Sequence, residues 1–448
     1  MKRITKLTGM LFVAAIMTFA FSSESQAVPT FARQTGFACT TCHFNSFPAL
    51  NAMGRAFKAS GFTQMGAQGK IEDEGLSIPD TLNASLVTKF RYQKSTTKGP
   101  AGTLVDADLE QEYGVRQSGT DKGEIQFPDE AALLIGGRAA ENIGFLLEFN
   151  AGTPDGASFA SFKMPITVFS TGDSHVVLIP FMTDALGAPY ATEVLNTGAV
   201  RNLRSWEARK AISAQQYVLT KNAVKESTTS ADAAESAEGL ALAYYADLFH
   251  ASATLWGPAW GHADTGLDLS QYFRAAVTPN IGGWDLAAGV QIWTGETTVG
   301  DGSHSNTGGA GSGNVYKTNA MAIDAQAQGI VGAMPLGVYA SYAVAPKADL
   351  GSTKINFFNT KTTGDTTAMA VNAELGVVPN KVTVGAGLRL GDTGATTKSD
   401  DTAMMLGAKY MLAQNSQVQF NYEIYSGGAN DADGKKESMM TLMLFSAF

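Results

Sequence analysis

Cysteine is nearly absent from this chain. Two occur in 448 residues, Cys39 and Cys42, and histidine is scarce as well, with five copies. A disulfide-stapled scaffold or a cysteine-rich zinc fold is therefore excluded. Basic charge is also short, at 32 Lys+Arg against 41 Asp+Glu, so nucleic acid is not an expected partner. After residue 27 no apolar run is long enough for a membrane helix.

The two cysteines sit in one motif, Cys39-Thr40-Thr41-Cys42-His43. Cys-x-x-Cys-His is the attachment signal of a c-type haem. Two thiols form thioethers with the vinyl groups, and the next imidazole becomes the proximal iron ligand. One covalently bound haem c is the expected cofactor, and no catalytic side chain beyond it is expected. The alternative is a thioredoxin-like dithiol or a plain disulfide. Residues 1–27 read as a cleaved secretory signal. Lys2, Arg3 and Lys6 precede the apolar run that begins at Leu11, and Ser25-Gln26-Ala27 is a small-residue cleavage site. Removing Lys2, Arg3, Lys6 and Glu24 with it leaves 29 basic against 40 acidic residues, a net charge of −11.

The rest of the chain alternates with a period of two. Val418, Phe420, Tyr422 and Ile424 oppose Gln417, Gln419, Asn421 and Glu423. Leu82, Ala84, Leu86, Phe90 and Tyr92 oppose Asn83, Ser85, Lys89, Arg91 and Gln93. Val382, Val384, Ala386, Leu388 and Leu390 oppose Lys381, Thr383 and Arg389. A soluble sandwich buries the apolar face, whereas a membrane barrel turns it to lipid. Tight connections are predicted near Glu141-Asn142, Asp247, Pro279-Asn280, Pro335, Pro379-Asn380 and Gln414-Asn415, with long Gly/Ser/Thr/Asp-rich segments between them. Short turns on one side and long loops on the other are the outer-membrane pattern. Met440, Leu442, Leu444 and Phe448 share one parity, and an aromatic closes the chain, which resembles the last strand of such barrels. The prediction is an all-β transmembrane outer-membrane β-barrel of about 16 strands over residues 81–448. The count could be 14 or 18, with 152–222 the least defined stretch. A small N-terminal c-type haem plug, 28–80, precedes the barrel. Its fragment Phe47–Lys58 is expected to form a short helix in its second half. About 50 residues hold little core of their own, so the plug should sit in or against the barrel.

Four pieces of the plug carry a family resemblance. They are Pro29-Thr-Phe-Ala-Arg-Gln-Thr-Gly36, Cys39-x-x-Cys42-His43, Pro48-x-Leu50, and Gly54-Arg55-x-Phe57-Lys58-x-x-Gly61-Phe62. Midchain pieces add to it: Phe181 to Tyr190, Leu195 to Asn202, and Ile212 to Gln216. Together they resemble the monohaem cytochrome–porin fusions, which include the outer-membrane iron(II) oxidases of iron-oxidising bacteria. The resemblance is dense in the plug and patchy in the barrel. It implies an outer-membrane protein that oxidises extracellular Fe(II). The electron would pass through one haem to a periplasmic cytochrome or other soluble carrier, and outer-membrane lipid would surround the barrel. The alternatives are an electron conduit for a different donor or acceptor, and a transport porin with a haem-bearing plug.

Several side chains have candidate roles. Met53 or Met65 could supply the sixth iron ligand, and core packing is the other reading for both. Arg33, Arg55 and Lys58 flank the motif and could pair with haem propionates, or be plain solvated or lumen-facing charge. His250 shares a parity with Ser252 and Thr254, which points it into the lumen. His175 falls at a strand edge, and His262 and His304 fall in loops. Asp106, Asp108, Glu110 and Glu112 could attract Fe(II), or be ordinary surface.

Overall fold

The computed structural model describes residues 30–66, 68–96, 121–153, 156–198, 206, 213–224, 236–258, 268–299, 314–348, 354–429 and 437–448. The leader 1–27 and the acidic run 106–112 lie outside the described residues, as do His262 and His304.

Three short helices open the described chain: α1 Thr30–Thr35, α2 Cys39–Cys42 and α3 Ala52–Ala59. The last is the helix expected in the second half of 47–58. A small exposed hairpin follows, Lys70–Asp73 paired with Leu76–Pro79. The barrel begins with β1 Ala84–Ser95, β2 Glu124–Ala140 and β3 Ile143–Thr153. β4 is one strand in two pieces, Gly156–Lys163 and Ile166–Thr171, since both pieces pair with the same two neighbours. β5 Ser174–Thr183, β6 Ala237–Ala246 and β7 Phe249–Gly257 come next. β8 is also interrupted, Ser270–Val277 and Asn280–Ile281, both on the next strand. The remaining strands are β9 Trp284–Thr294, β10 Ala320–Val331, β11 Met334–Ala345, β12 Thr366–Val378, β13 Val382–Asp392, β14 Asp400–Ala413, β15 Ser416–Ser426 and β16 Glu437–Ala447. Every neighbouring pair is antiparallel, and β16 returns to β1 from Met439↔Ser95 to Ala447↔Val87. The sheet is a closed barrel of sixteen strands. Closure leaves no strand edge unpaired, which is what a wall in hydrocarbon requires.

Burial decides which way the alternation points. On β15, Gln417, Gln419, Asn421 and Glu423 are buried, while Phe420 and Tyr422 are exposed. On β10, Asp324, Gln326 and Gln328 are buried, and Met321 and Ile323 are exposed. Polar groups face the lumen and apolar ones face outward, the arrangement of a porin-like outer-membrane barrel and the inverse of a soluble sandwich.

Tight turns collect at one end: 141–142, 172–173, 247–248, 282–283, 332–333, 379–381 and 414–415. Two of the predicted positions are corrected. Pro279 is no turn but the break within β8, because proline lacks the N–H that the ladder needs. The reversal falls at Gly282-Gly283, both left-handed at φ 60° and 79°, as a type I′ hairpin demands. Pro335 lies inside β11, one residue past its start, and the turn is at Gly332-Ala333. The turn at Gly172-Asp173 was not anticipated.

Part of the lumen is filled. The connection after β5 packs its described residues inside the barrel. Its Ala188, Tyr190, Ala191, Val194 and the helix α4 (Ala214–Thr220) are buried against inward-facing Val177, Ile179, Phe181, Tyr245, Trp256 and Tyr272. Phe357 and Phe358 complete this internal apolar core.

Candidate functional site

The plug enters the barrel at its short-turn end and touches the wall on several sides. Thr30 Oγ1 lies 2.9 Å from Ser85 Oγ on β1. Arg138 N–H on β2 donates to Gln34 Oε1 at 2.9 Å. Cys39 N–H donates to Gln414 Oε1 at 3.0 Å, in the turn after β14. Phe47 stacks on Phe445 of β16 at 5.1 Å between ring centroids. Inside the plug Phe31 packs on Phe57 and Phe62 at 5.1 and 4.7 Å. That aromatic trio is a small core, and the barrel wall supplies the rest.

The motif forms one helical turn. His43 N–H donates to Cys39 C=O at 2.9 Å, which places both cysteines and the histidine on a single turn. Both thiols are free and half-buried. Burial pushes each thiol above its usual range, and for Cys42 the neighbouring Cys39 adds to the rise. A reactive redox dithiol has its thiol pKa lowered instead. Asn51 ties the turn to α3. Its N–H donates to Cys42 C=O at 3.0 Å, its Nδ2 donates to Thr41 C=O at 3.0 Å, and its Oδ1 caps α3 by accepting from Gly54 N–H. Gly54 then rests on Cys42 so closely that only glycine fits.

His43 is held by its back nitrogen. Its Nδ1 lies 3.2 Å from Ala49 C=O, which also accepts Phe44 N–H at 2.8 Å. A carbonyl can only accept, so Nδ1 carries the proton and Nε2 keeps its lone pair. Desolvation pushes the imidazole down to about 4, partly opposed by hydrogen bonds to the Ala49 and Pro48 backbone. The ring is therefore neutral at ordinary pH, the form that binds a metal. The Phe47 ring stands edge-on to it at 5.3 Å.

Arg55, buried on α3, pairs with Asp285 of β9 at 2.7 Å. Its Nη1 is buried with no hydrogen-bond partner, as is Asn45 Nδ2, two residues past His43. Arg33 is exposed on α1, and Lys58 is half-buried one turn beyond Arg55. Met53 and Met65 are half-buried, Met53 being the residue before Gly54. His250 faces the lumen as expected, its ring 5.9 Å from that of Tyr245, and is a buried wall residue. His175, at the end of β5, meets Ser170 Oγ at 2.9 Å. Among the described residues no group of three or more His, Cys, Asp or Glu could hold a metal ion.

The residues present fit a c-type haem. Two unpaired thiols and an imidazole with Nε2 open share one turn, and orphaned buried donors at Arg55 and Asn45 suit the carboxylates such a group carries. The barrel residues that grip the plug, Asp285, Gln414 and Phe445, were not foreseen. Each lies in a different strand or turn, and nothing local to it marks the contact.

No family model matches this chain, and no curated protein does. Solved structures do resemble it. Pseudomonas putida OprB at high pH gives a TM-score of 0.52 at 10% identity, over 82% of this chain and 94% of that one. The anion-selective porin from Comamonas acidovorans gives 0.48 at 14% identity, over 82% and 99%. The outer membrane channel DcaP of Acinetobacter baumannii gives 0.44 at 11% identity, over 85% and 100%. At such identities the likeness to OprB bears on the fold alone, a porin-like barrel.

Proposed function

We propose that this chain is an outer-membrane cytochrome–porin fusion that oxidises extracellular Fe(II) and passes the electron to a soluble periplasmic carrier. The observation that carries the reading is the His43 Nδ1···Ala49 C=O contact, beside two free thiols on the same turn. A haem held by Cys39, Cys42 and His43 would supply a one-electron store between donor and acceptor. One electron leaves Fe(II), giving Fe(III), and the carrier takes it up. Export delivers the chain to the compartment where such haems are attached, and the leader 1–27 is read as the signal for it. Arg55 is a candidate for one propionate, and Met53 for the sixth ligand.

Orientation follows from the turns. Short turns face the periplasm in outer-membrane barrels. His43 lies at that end, so a periplasmic carrier can reach the plug at the mouth without entering the lumen. Oxidation at the outer surface keeps poorly soluble Fe(III) outside. The packed insert between the loop end and the plug disfavours an open transport pore. On this reading Fe(II) stays outside and only its electron has to reach the plug.

A potentiometric titration of the purified protein, with and without Fe(II), tests the reading. One covalently bound haem that Fe(II) reduces is the expected result. A haem reduced only by other donors leaves a general conduit and removes iron oxidation. A colourless protein, produced in a host with haem-attachment machinery, removes both.

A further inference from the structure

Leu50 follows Ala49, the residue whose carbonyl holds His43, and its backbone is gripped from outside the plug. Asn196, in the lumen insert, takes both sides of it. Leu50 N–H donates to Asn196 Oδ1 at 2.7 Å, and Asn196 Nδ2 donates to Leu50 C=O at 2.9 Å. Gln328 of β10 donates to the same carbonyl at 3.1 Å. The clasp is itself anchored. Asn196 N–H donates to Gln326 Oε1 at 2.9 Å, and Thr197 Oγ1 donates to Asp324 Oδ1 at 2.6 Å. Asp324 pairs with Arg274 at 2.6 Å, and Arg274 reaches Glu193 of the insert at 3.1 Å, all three with no side-chain exposure beyond 5%.

Buried charge is costly unless it is partnered, and Asp324 is met by Arg274, Thr197 and Gln291. The apolar face of the insert, with Tyr190, Val194, Val218 and Leu219, is already buried by packing. Other polar groups of the insert bond to the barrel wall, at Ser161, Tyr245 and Ser252. Asn196, held by Gln326 and next to Thr197 of the Arg274 network, instead reaches the plug, at the peptide beside Ala49.

We propose that Asn196 is a positioning residue for the proximal ligand. By fixing Leu50 it holds the Ala49 carbonyl against His43 Nδ1–H, and so sets how strongly Nε2 donates. The inference rests on the haem reading above. A hydrogen bond to the back nitrogen of a ligating histidine raises its basicity, and the axial ligand with its hydrogen bonding sets the potential. A stronger donor favours the ferric state. Loosening the clasp should make the haem easier to reduce.

The test is a redox titration of the full-length holoprotein in detergent, comparing wild type with Asn196→Ala, Asn196→Leu and Tyr190→Phe. Asn196→Leu keeps the bulk of the side chain and removes both hydrogen bonds. Tyr190→Phe removes a hydrogen bond to Ser161 elsewhere in the same insert. Either Asn196 variant should favour reduction by up to roughly tenfold, which is about 59 mV for one electron. Tyr190→Phe should titrate with the wild type. If one Asn196 variant fails to accumulate, the other decides alone. Wild-type potentials in the Asn196 variants overturn the inference and leave the haem reading standing. An equal shift in Tyr190→Phe also overturns it, since the effect then belongs to insert packing. A wild type without covalent haem overturns both.

Discussion

Gly54 and Cys42 meet backbone to backbone: a Cβ placed on residue 54 would lie 2.2 Å from the Cys42 carbonyl oxygen and 3.0 Å from a Leu50 methyl. The obstacle on one side is main chain, which cannot swing away as a side chain can. The turn that carries both cysteines is thereby held at a fixed distance from α3.

Gly54→Ala should force α3 off the motif. Overpacking of this kind costs typically about 1–3 kcal/mol, a large share of what a segment this small can hold. The expected result is a lower yield of covalently attached haem and faster proteolysis of the plug. The barrel should still form, seen as a band that shifts on heating in detergent as the wild type's is expected to. Ala56→Ser, at an exposed position on the same helix, should behave as wild type.

Cys39→Ala and Cys42→Ala each remove one thioether site. Haem staining of denatured protein should fall in each and vanish in the double variant. Full staining of the double variant would show that attachment does not run through this motif.

The pair Arg55–Asp285 is one of the ties between plug and wall. Asp285→Asn leaves a guanidinium that already has one unpartnered nitrogen. Removing one member of a fully buried pair costs roughly 3–5 kcal/mol. Asp285 keeps 16% of its side chain exposed, so the loss should fall below that range. Limited proteolysis should release the plug earlier in Asp285→Asn, with the barrel intact. Equal protease resistance would show that the other wall contacts suffice.

The strand pattern was legible because period-two alternation is a direct imprint of a wall with lipid on one side. The alternation of Gln417 to Glu423 with Val418 to Ile424 is plain in the sequence, and burial shows which face meets the lumen. Strand β5 lacks that pattern, since Val177, Ile179 and Phe181 face inward against the insert and erase the polar-inside signal. The insert is not foreseen: its sequence stands out only as midchain pieces that resemble other sequences, within the stretch 152–222 whose strands are the least defined. Polar Asn196 and Thr197, set among apolar residues, look like loop until their partners Leu50 and Asp324 are known. The Cys-x-x-Cys-His motif is plain in the sequence because its residues are neighbours, and the structure adds that they share one helical turn. The Ala49 carbonyl behind His43 was not legible, because it depends on the chain doubling back at Phe47-Pro48.

The placement of the motif at the short-turn end yields the most demanding prediction. With the hydrocarbon core about 30 Å thick, an extracellular donor and a plug at the periplasmic mouth stand on opposite sides of the packed insert. Stopped-flow reduction in sealed vesicles, with the long loops outward, separates the possibilities. Fe(II) added outside should reduce the haem, and His43→Ala should abolish that reduction. Added salt should slow it if the acidic run Asp106 to Glu112 concentrates the cation. An oxidised cationic or neutral carrier trapped inside should then be reduced in step. Should Fe(II) act only when the vesicles are opened, the electron does not cross the barrel, and the donor must be a periplasmic one.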